Sequence, residues 1–340
     1  MGQYKLLSFD GGGIRGYISI SLLAHLEAET GVDVIAHIDG VCGTSTGGLI
    51  ALGLAVGQTP AQLVSLYRDH AAQIFDPRED HGFGGLEDKL FEKLGFPDPH
   101  LLVRTKYTSD GLKATVQPFL KDAPMKDAQL DVAVNTARLW DDGVTPPRWR
   151  AVTATSFESE YAGVAMVDLA CATSAAPTYF PPHNIPGFGF FADGGLSANN
   201  PSLSTFAALK ASGRVKHLAD MQIVSFGTGL APSGLSPDTI GDPLEWGIFK
   251  WLNPRSKAEK PAVPLMGGMF DLSGSATDDI AQGLFGDQIA RVQPILEQPI
   301  SLDSHTDAAF DAMDAVIEAA TKTHQYATAR DMIARWVGTS

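Results

Sequence analysis

An α/β fold, a sheet covered by helices on both faces, is the class this 340-residue sequence predicts. Three observations predict it. Short apolar β-like runs alternate with helical stretches, the pattern of strand–helix units. Several runs end in glycines, at Asp10-Gly11-Gly12-Gly13, Asp193-Gly194-Gly195 and Gly227-Thr228-Gly229, and ligands in such sheets bind beyond the carboxyl ends of strands. Hydrophobic residues make up 44% and charged residues 19%, which excludes a disordered or collagen-like chain.

The elements follow in order. Tyr4–Phe9 is a β-like run ending at the first glycines. Ile18, Ile20, Leu22, Leu23 and Leu26 then predict a largely buried helix to about Thr30, with Gly31 as its stop. Val32–Cys42 should contain a second strand, followed by a Gly-rich turn and a helix through Leu49, Leu52 and Val56. Thr59-Pro60 reads as N-cap and first turn of a helix reaching Phe75. Residues 76–125 hold short helical pieces broken by Pro and Gly. Leu130–Thr136, Arg150–Thr155, Phe188–Ala192 and Gln222–Phe226 are expected strands, and Asn199-Asn200-Pro201 opens a helix through Ala208. With no flexible linker in view, the expectation is a single domain over 1–340. Its core is 4–230, a Pro/Gly-rich excursion or lid spans 231–275, and a helical C-terminal extension spans 276–340.

Acidic residues outnumber basic ones, 39 to 25, for a formal charge of −14. Nucleic acid is therefore not expected as a main partner, since phosphates need basic groups. Simple adsorption to an anionic membrane is disfavoured on the same ground, while docking through an apolar patch is not. The two cysteines, Cys42 and Cys171, make neither a disulfide framework nor a four-sulfur zinc site. The opening MGQYKLLSFDGGG lacks signal-peptide and myristoylation patterns. The expectation is a cytoplasmic protein, peripheral at membranes.

Three motifs carry chemistry. Gly43-Thr44-Ser45-Thr46-Gly47 is a G-x-S-x-G pattern between an expected strand and helix. A sharp strand-to-helix turn exposes the serine hydroxyl, needs small residues at Gly43 and Gly47, and aims the helix N-terminus at developing negative charge. Asp10-Gly11-Gly12-Gly13-Ile14-Arg15-Gly16 can turn backbone N–H groups toward one point, an anion nest suited to an acyl-transfer oxyanion and braced by Arg15. The same residues satisfy the G-x-G-x-x-G dinucleotide fingerprint, with Asp33 or Asp39 as the acidic partner. Asp193 beside Gly194 and Gly195 is either a buried base at a strand end or an ordinary turn. Spacing alone does not join residues 45 and 193. Leu244–Leu252, with Trp246 and Trp251, reads as a lipid-facing segment or as a packing helix.

DGGGIRG, GTSTGG and DGG in this order, with Cys171–Pro182 and Val224–Gly229, resemble the patatin-like phospholipase family over about residues 4–230. That resemblance implies a three-layer fold with a central, mostly parallel sheet and a lipid acyl hydrolase using a Ser–Asp dyad. Ser45 would be the nucleophile and Asp193 its base. Gly11, Gly12 and Gly13 would give the oxyanion hole, with Arg15 in support. No metal or other cofactor is implied. The expected substrate is a lipid or other fatty-acyl ester, met at a transient membrane or micelle surface.

Three rivals stand beside this reading. A Ser–His–Asp α/β-hydrolase would draw its base from His217, His305 or His324, the histidines after Asp193. A nucleotide-binding dehydrogenase would use Gly11–Gly16. A signal-activated phospholipase would house its control in 230–340.

Overall fold

Tyr4–Phe9 (β1) extends because its last four residues are apolar or small and buried on both faces, as a central parallel strand requires. The computed structural model describes residues 3–76, 105–141, 143–231, 235–252 and 264–338. The other strands are β2 (Gly40–Thr44), β3 (Asp131–Asp141), β4 (Arg148–Thr155), β5 (His183–Ile185), β6 (Gly189–Asp193), β7 (Met221–Phe226) and β8 (Ile289–Val292). They form one sheet in the order β5-β6-β3-β2-β1-β7-β8, with β4 paired to β3. Pairing is parallel from β3 through β2, β1 and β7 to β8, and antiparallel where β4, β5 and β6 join.

The longer helices are α1 (Gly16–Thr30), α2 (Thr46–Ala55), α3 (Pro60–Ile74), α4 (Ser109–Leu120), α5 (Met166–Thr173), α6 (Ser202–Ala211), α7 (Pro264–Phe285), α8 (Asp307–Thr321) and α9 (His324–Gly338). Gly31 ends α1 in the left-handed conformation, φ 67°. Thr59 and Gln62 close a reciprocal capping box on α3, with Pro60 in the first turn. All ten residues of α2 are buried, as an all-round apolar helix demands.

Strand alternation divides the core into two apolar layers. Leu6, Cys42, Ala133 and Ile223 pack with Leu209 of α6 and with Ala281 and Phe285 of α7. On the other face Leu7, Val41, Val134 and Val224 pack with α1–α5, α8 and α9. The result is the three-layer α/β arrangement expected.

Four details differ from the expectation. The second strand starts only at Gly40, because Ile35–His37 forms a 3-10 turn. The excursion expected over 231–275 includes the first half of α7, a 22-residue helix. The stretch expected to be helical after 275 also contributes β8, an edge strand on β7. The short helical pieces expected within 77–104 lie outside the described residues.

One topological feature positions the site. Asp131–Asn135 of β3 pair with β2, whereas Thr136–Arg138 pair with β6 on the same edge. Strands β2 and β6 run in opposite senses, so their carboxyl ends meet head to head. Thr44 is registered with Asn135 and Asp193 with Thr136, adjacent positions on β3.

Candidate active site

Ser45 follows Thr44 directly and is the residue on which β2 turns into α2. Its backbone has φ 54° and ψ −123°, a strained conformation for a side-chain-bearing residue. The turn is possible because Gly43 and Gly47 touch: a Cβ on Gly43 would overlap the Gly47 carbonyl, and one on Gly47 would overlap the Phe9 carbonyl. The Ser45 N–H donates to Thr173 Oγ1 (2.7 Å), whose own hydroxyl donates to the Asn135 carbonyl (2.6 Å). Thr173, at the end of α5, thus fastens the elbow to β3.

The Ser45 hydroxyl faces the Asp193 carboxylate closely enough to favour its ionised form. Asp193 is 1% exposed, and its Oδ1 accepts the Gly195 N–H (2.7 Å). Burial pushes its pKa up to about 7, against the opposing pull of the Ser45 hydroxyl and the Gly195 N–H. Gly194 packs on the Asn135 backbone and Gly195 lies against Phe270 of α7.

The Gly11–Gly13 loop is clamped beside this pair. The Gly11 N–H donates to the Asn199 carbonyl (3.2 Å). The Gly11 carbonyl accepts from Thr228 Oγ1 (2.9 Å) and Asn199 Nδ2 (3.3 Å). The Ile14 N–H donates to the Leu302 carbonyl (2.8 Å). Arg15 bridges the carbonyls of Gly12 (Nε, 3.4 Å) and Gly229 (Nη1, 3.3 Å). Burial lowers the Arg15 pKa, and the charge of Asp271 on α7 opposes that shift. The Gly11 N–H is engaged in this way, while those of Gly12 and Gly13 have no protein acceptor among the described residues.

A cavity of about 130 Å³ opens at this point. Ser45, Asp193 and Gly11–Gly13 line it together with apolar side chains, among them Leu49, Ile74, Phe75, Leu112, Phe180 and Leu302. No histidine among the described residues lines it. His305 Nδ1 donates to the Asp303 carbonyl (3.0 Å), and its ring stacks on Phe75, 6.2 Å between rings. His217 precedes β7 at its amino end, and His324 starts α9. Cys42 is buried, its thiol pushed up to about 12 by burial, so it is no second nucleophile.

Sequence reasoning missed several members. Thr173 lay within a noted segment but showed no local sign of its role. Asn199 was read chiefly as a helix cap, and Asn200 does accept the Ser202 N–H (2.9 Å). Asp278 of α7 lines the cavity from the stretch where no motif was found.

The patatin-like phospholipase family model matches residues 7–205, more than half of the chain. The chain belongs to that family. It is 31% identical over 251 residues to a cGAMP-activated phospholipase of Vibrio cholerae, covering 70% of this chain and 68% of the relative. It is 29% identical over 323 residues to a cGAMP-activated phospholipase of Pseudomonas aeruginosa, covering 94% and 85%. Among solved structures, human GIVD cytosolic phospholipase A2 superposes with a TM-score of 0.45 at 11% identity, over 98% of this chain and 63% of that one.

Proposed function

We propose that this chain hydrolyses fatty-acyl esters of lipids through Ser45 as nucleophile and Asp193 as general base. As a patatin-like phospholipase it is a lipid-hydrolysing enzyme, an ester hydrolase. The observation that carries the dyad is that the strained Ser45 and a desolvated carboxylate line one apolar cavity, which no histidine among the described residues enters. A carboxylate held near pKa 7 is matched to proton transfer at neutral pH, which removes the need for an imidazole relay.

In this reading Asp193 takes the hydroxyl proton as Ser45 Oγ attacks the ester carbonyl. The developing oxyanion is met by the Gly12 and Gly13 N–H groups and by the N-terminal end of α2. Collapse of the tetrahedral intermediate expels the alcohol or lysolipid, which takes the proton from Asp193. A water then gives its proton to Asp193 and attacks the acyl-enzyme, releasing the fatty acid and restoring Ser45. The apolar wall holds the acyl chain.

For the lipid surface, the exposed apolar side chains beside α7 are the supporting feature. Leu244 and Ile248 are 94% and 73% exposed, and the single turn Ile248–Trp251 packs on α7, which lines the cavity. Leu272 on α7 is 70% exposed. Apolar and Trp side chains in such a position suit shallow insertion at a bilayer interface. Among the described residues no helix is long and apolar enough to cross a membrane.

The test is hydrolysis of a fatty-acyl p-nitrophenyl series and of phospholipid vesicles. Ser45→Ala and Asp193→Asn should each lose at least about 10³-fold in kcat while remaining folded. His217→Ala, His305→Ala and His324→Ala should stay near wild type, and loss in one folded His variant would sink the dyad. Leu244→Asp with Ile248→Asp should weaken vesicle sedimentation and leave soluble-ester hydrolysis unchanged. The relatives named as cGAMP-activated favour a second reading, a phospholipase switched on by a signal. Hydrolysis that rises only on adding cGAMP would establish that version, and equal rates with and without it would dismiss cGAMP as the signal.

A further inference from the structure

The oxyanion loop hangs from a buried ion cluster that the proposed reaction does not use. Asp10 directly precedes Gly11 and is 3% exposed. Arg291 lies on β8 and reaches across β7 to it. Its Nη1 donates to Asp10 Oδ1 (2.9 Å) and to Ser225 Oγ on β7 (2.8 Å). Its Nη2 donates to Asp10 Oδ2 (2.5 Å) and lies 3.1 Å from Asp278 Oδ2 on α7. Asp278 Oδ1 in turn accepts from Asn200 Nδ2 (2.5 Å). The neighbouring Asn199 clamps Gly11. One guanidinium therefore joins the oxyanion loop, α7 and the loop before α6.

We infer that Arg291 is a positioning residue for ester hydrolysis: its two-pronged grip on Asp10 sets the aim of the Gly12 and Gly13 N–H groups. Through Asp278, that aim depends on α7 being seated. The physical case rests on geometry. A buried ion pair gives little net stability over an apolar pair of the same size, because desolvation offsets the attraction. A bidentate guanidinium–carboxylate contact does fix distance and orientation, and an ammonium group cannot reproduce it. Misplacing oxyanion donors by a fraction of an ångström weakens them in the transition state more than in the ground state. The inference rests on the dyad reading, in which this loop stabilises the oxyanion.

Three variants test it on a soluble p-nitrophenyl ester. Arg291→Lys keeps the charge and loses the fork. Asp10→Asn with Arg291→Gln removes both charges at similar size, so that no lone buried charge blocks folding. Asp278→Asn cuts only the link to α7. The measurements are kcat, KM, the inhibition constant of a long-chain trifluoromethyl ketone, which forms an oxyanion on Ser45, and the binding of free fatty acid. Folded Arg291→Lys and the double variant should lose about 10- to 100-fold in kcat. The ketone should weaken in parallel, while KM and fatty-acid binding stay within about twofold. Asp278→Asn should show the same pattern at smaller size. Unchanged kcat and ketone affinity in either folded variant would overturn the inference. So would a parallel loss of kcat, KM and fatty-acid binding, which marks general damage to the cavity. Ser45→Ala and Asp193→Asn run alongside: activity surviving in those would overturn the dyad reading instead.

Discussion

Asp193 shows how burial and chemistry are joined in one side chain. Its folded pKa, about 7, stands above the ordinary carboxylate value of 3.8. The native protein thus holds a proton that the unfolded chain releases at lower pH. The contribution of Asp193 to stability is present in full below about pH 4 and is lost as pH rises through 7. Asp193→Asn should therefore melt higher than wild type at pH 8 and close to it at pH 4. The gain is capped at roughly 4 kcal/mol, from about 1.4 kcal/mol per pH unit. Hydrolysis should move oppositely, since only the ionised carboxylate takes the Ser45 proton. On a neutral ester, kcat/KM should climb with pH to a plateau, with its midpoint near 7. A flat profile between pH 5 and 8 would count against Asp193 as base. Ser45 adds a second local cost through its positive φ, of the order of 1–3 kcal/mol. Destabilising features gather where the chemistry is proposed.

At the scale of elements, Thr173 is the most exposed to test. Its hydroxyl bridges the Ser45 N–H and the Asn135 carbonyl, so α5, the elbow and β3 share one fastening. Thr173→Val keeps the shape and leaves two backbone groups without that partner. Denaturant titration should show a loss of about 1–3 kcal/mol, and kcat should fall about tenfold with KM little changed. Thr173→Ser should restore most of both. The elements the sequence made legible are those with local causes. Strand β1 is an apolar run stopped by glycines, α3 carries its capping box at Thr59 and Gln62, and the elbow needs its glycines four residues apart. What was not legible depends on distant partners. Strand β8, four residues long and interrupted by Arg291, falls in the stretch expected to be helical, and the burial of Arg291 is offset by Asp10 and Asp278. The contact between Ser45 and Asp193 depends on β3 outrunning β2 and leaving an edge for β6.

For the molecule as a whole, the sheet is completed by the segment beyond the family match. Strand β8 extends it at one edge, while Tyr326, Met332 and Trp336 of α9 are buried in the same core as α1 and α2. The chain is therefore proposed to fold as one unit. Calorimetry should give a single cooperative transition, and a chain ending at residue 285 should fail to show it. A stable, active fragment of that length would divide the protein into two parts. The head-to-head arrangement of β2 and β6 also bears on how the enzyme comes into being. During synthesis Ser45 emerges early, yet its proposed base cannot dock until β3 has been laid down and β6 has followed. The oxyanion loop waits longer still, for Arg291 and Leu302, which follow all of these in the chain. On the proposed mechanism a half-made chain carries a serine without its base or its oxyanion donors, so hydrolysis should begin only once all of these segments are in place.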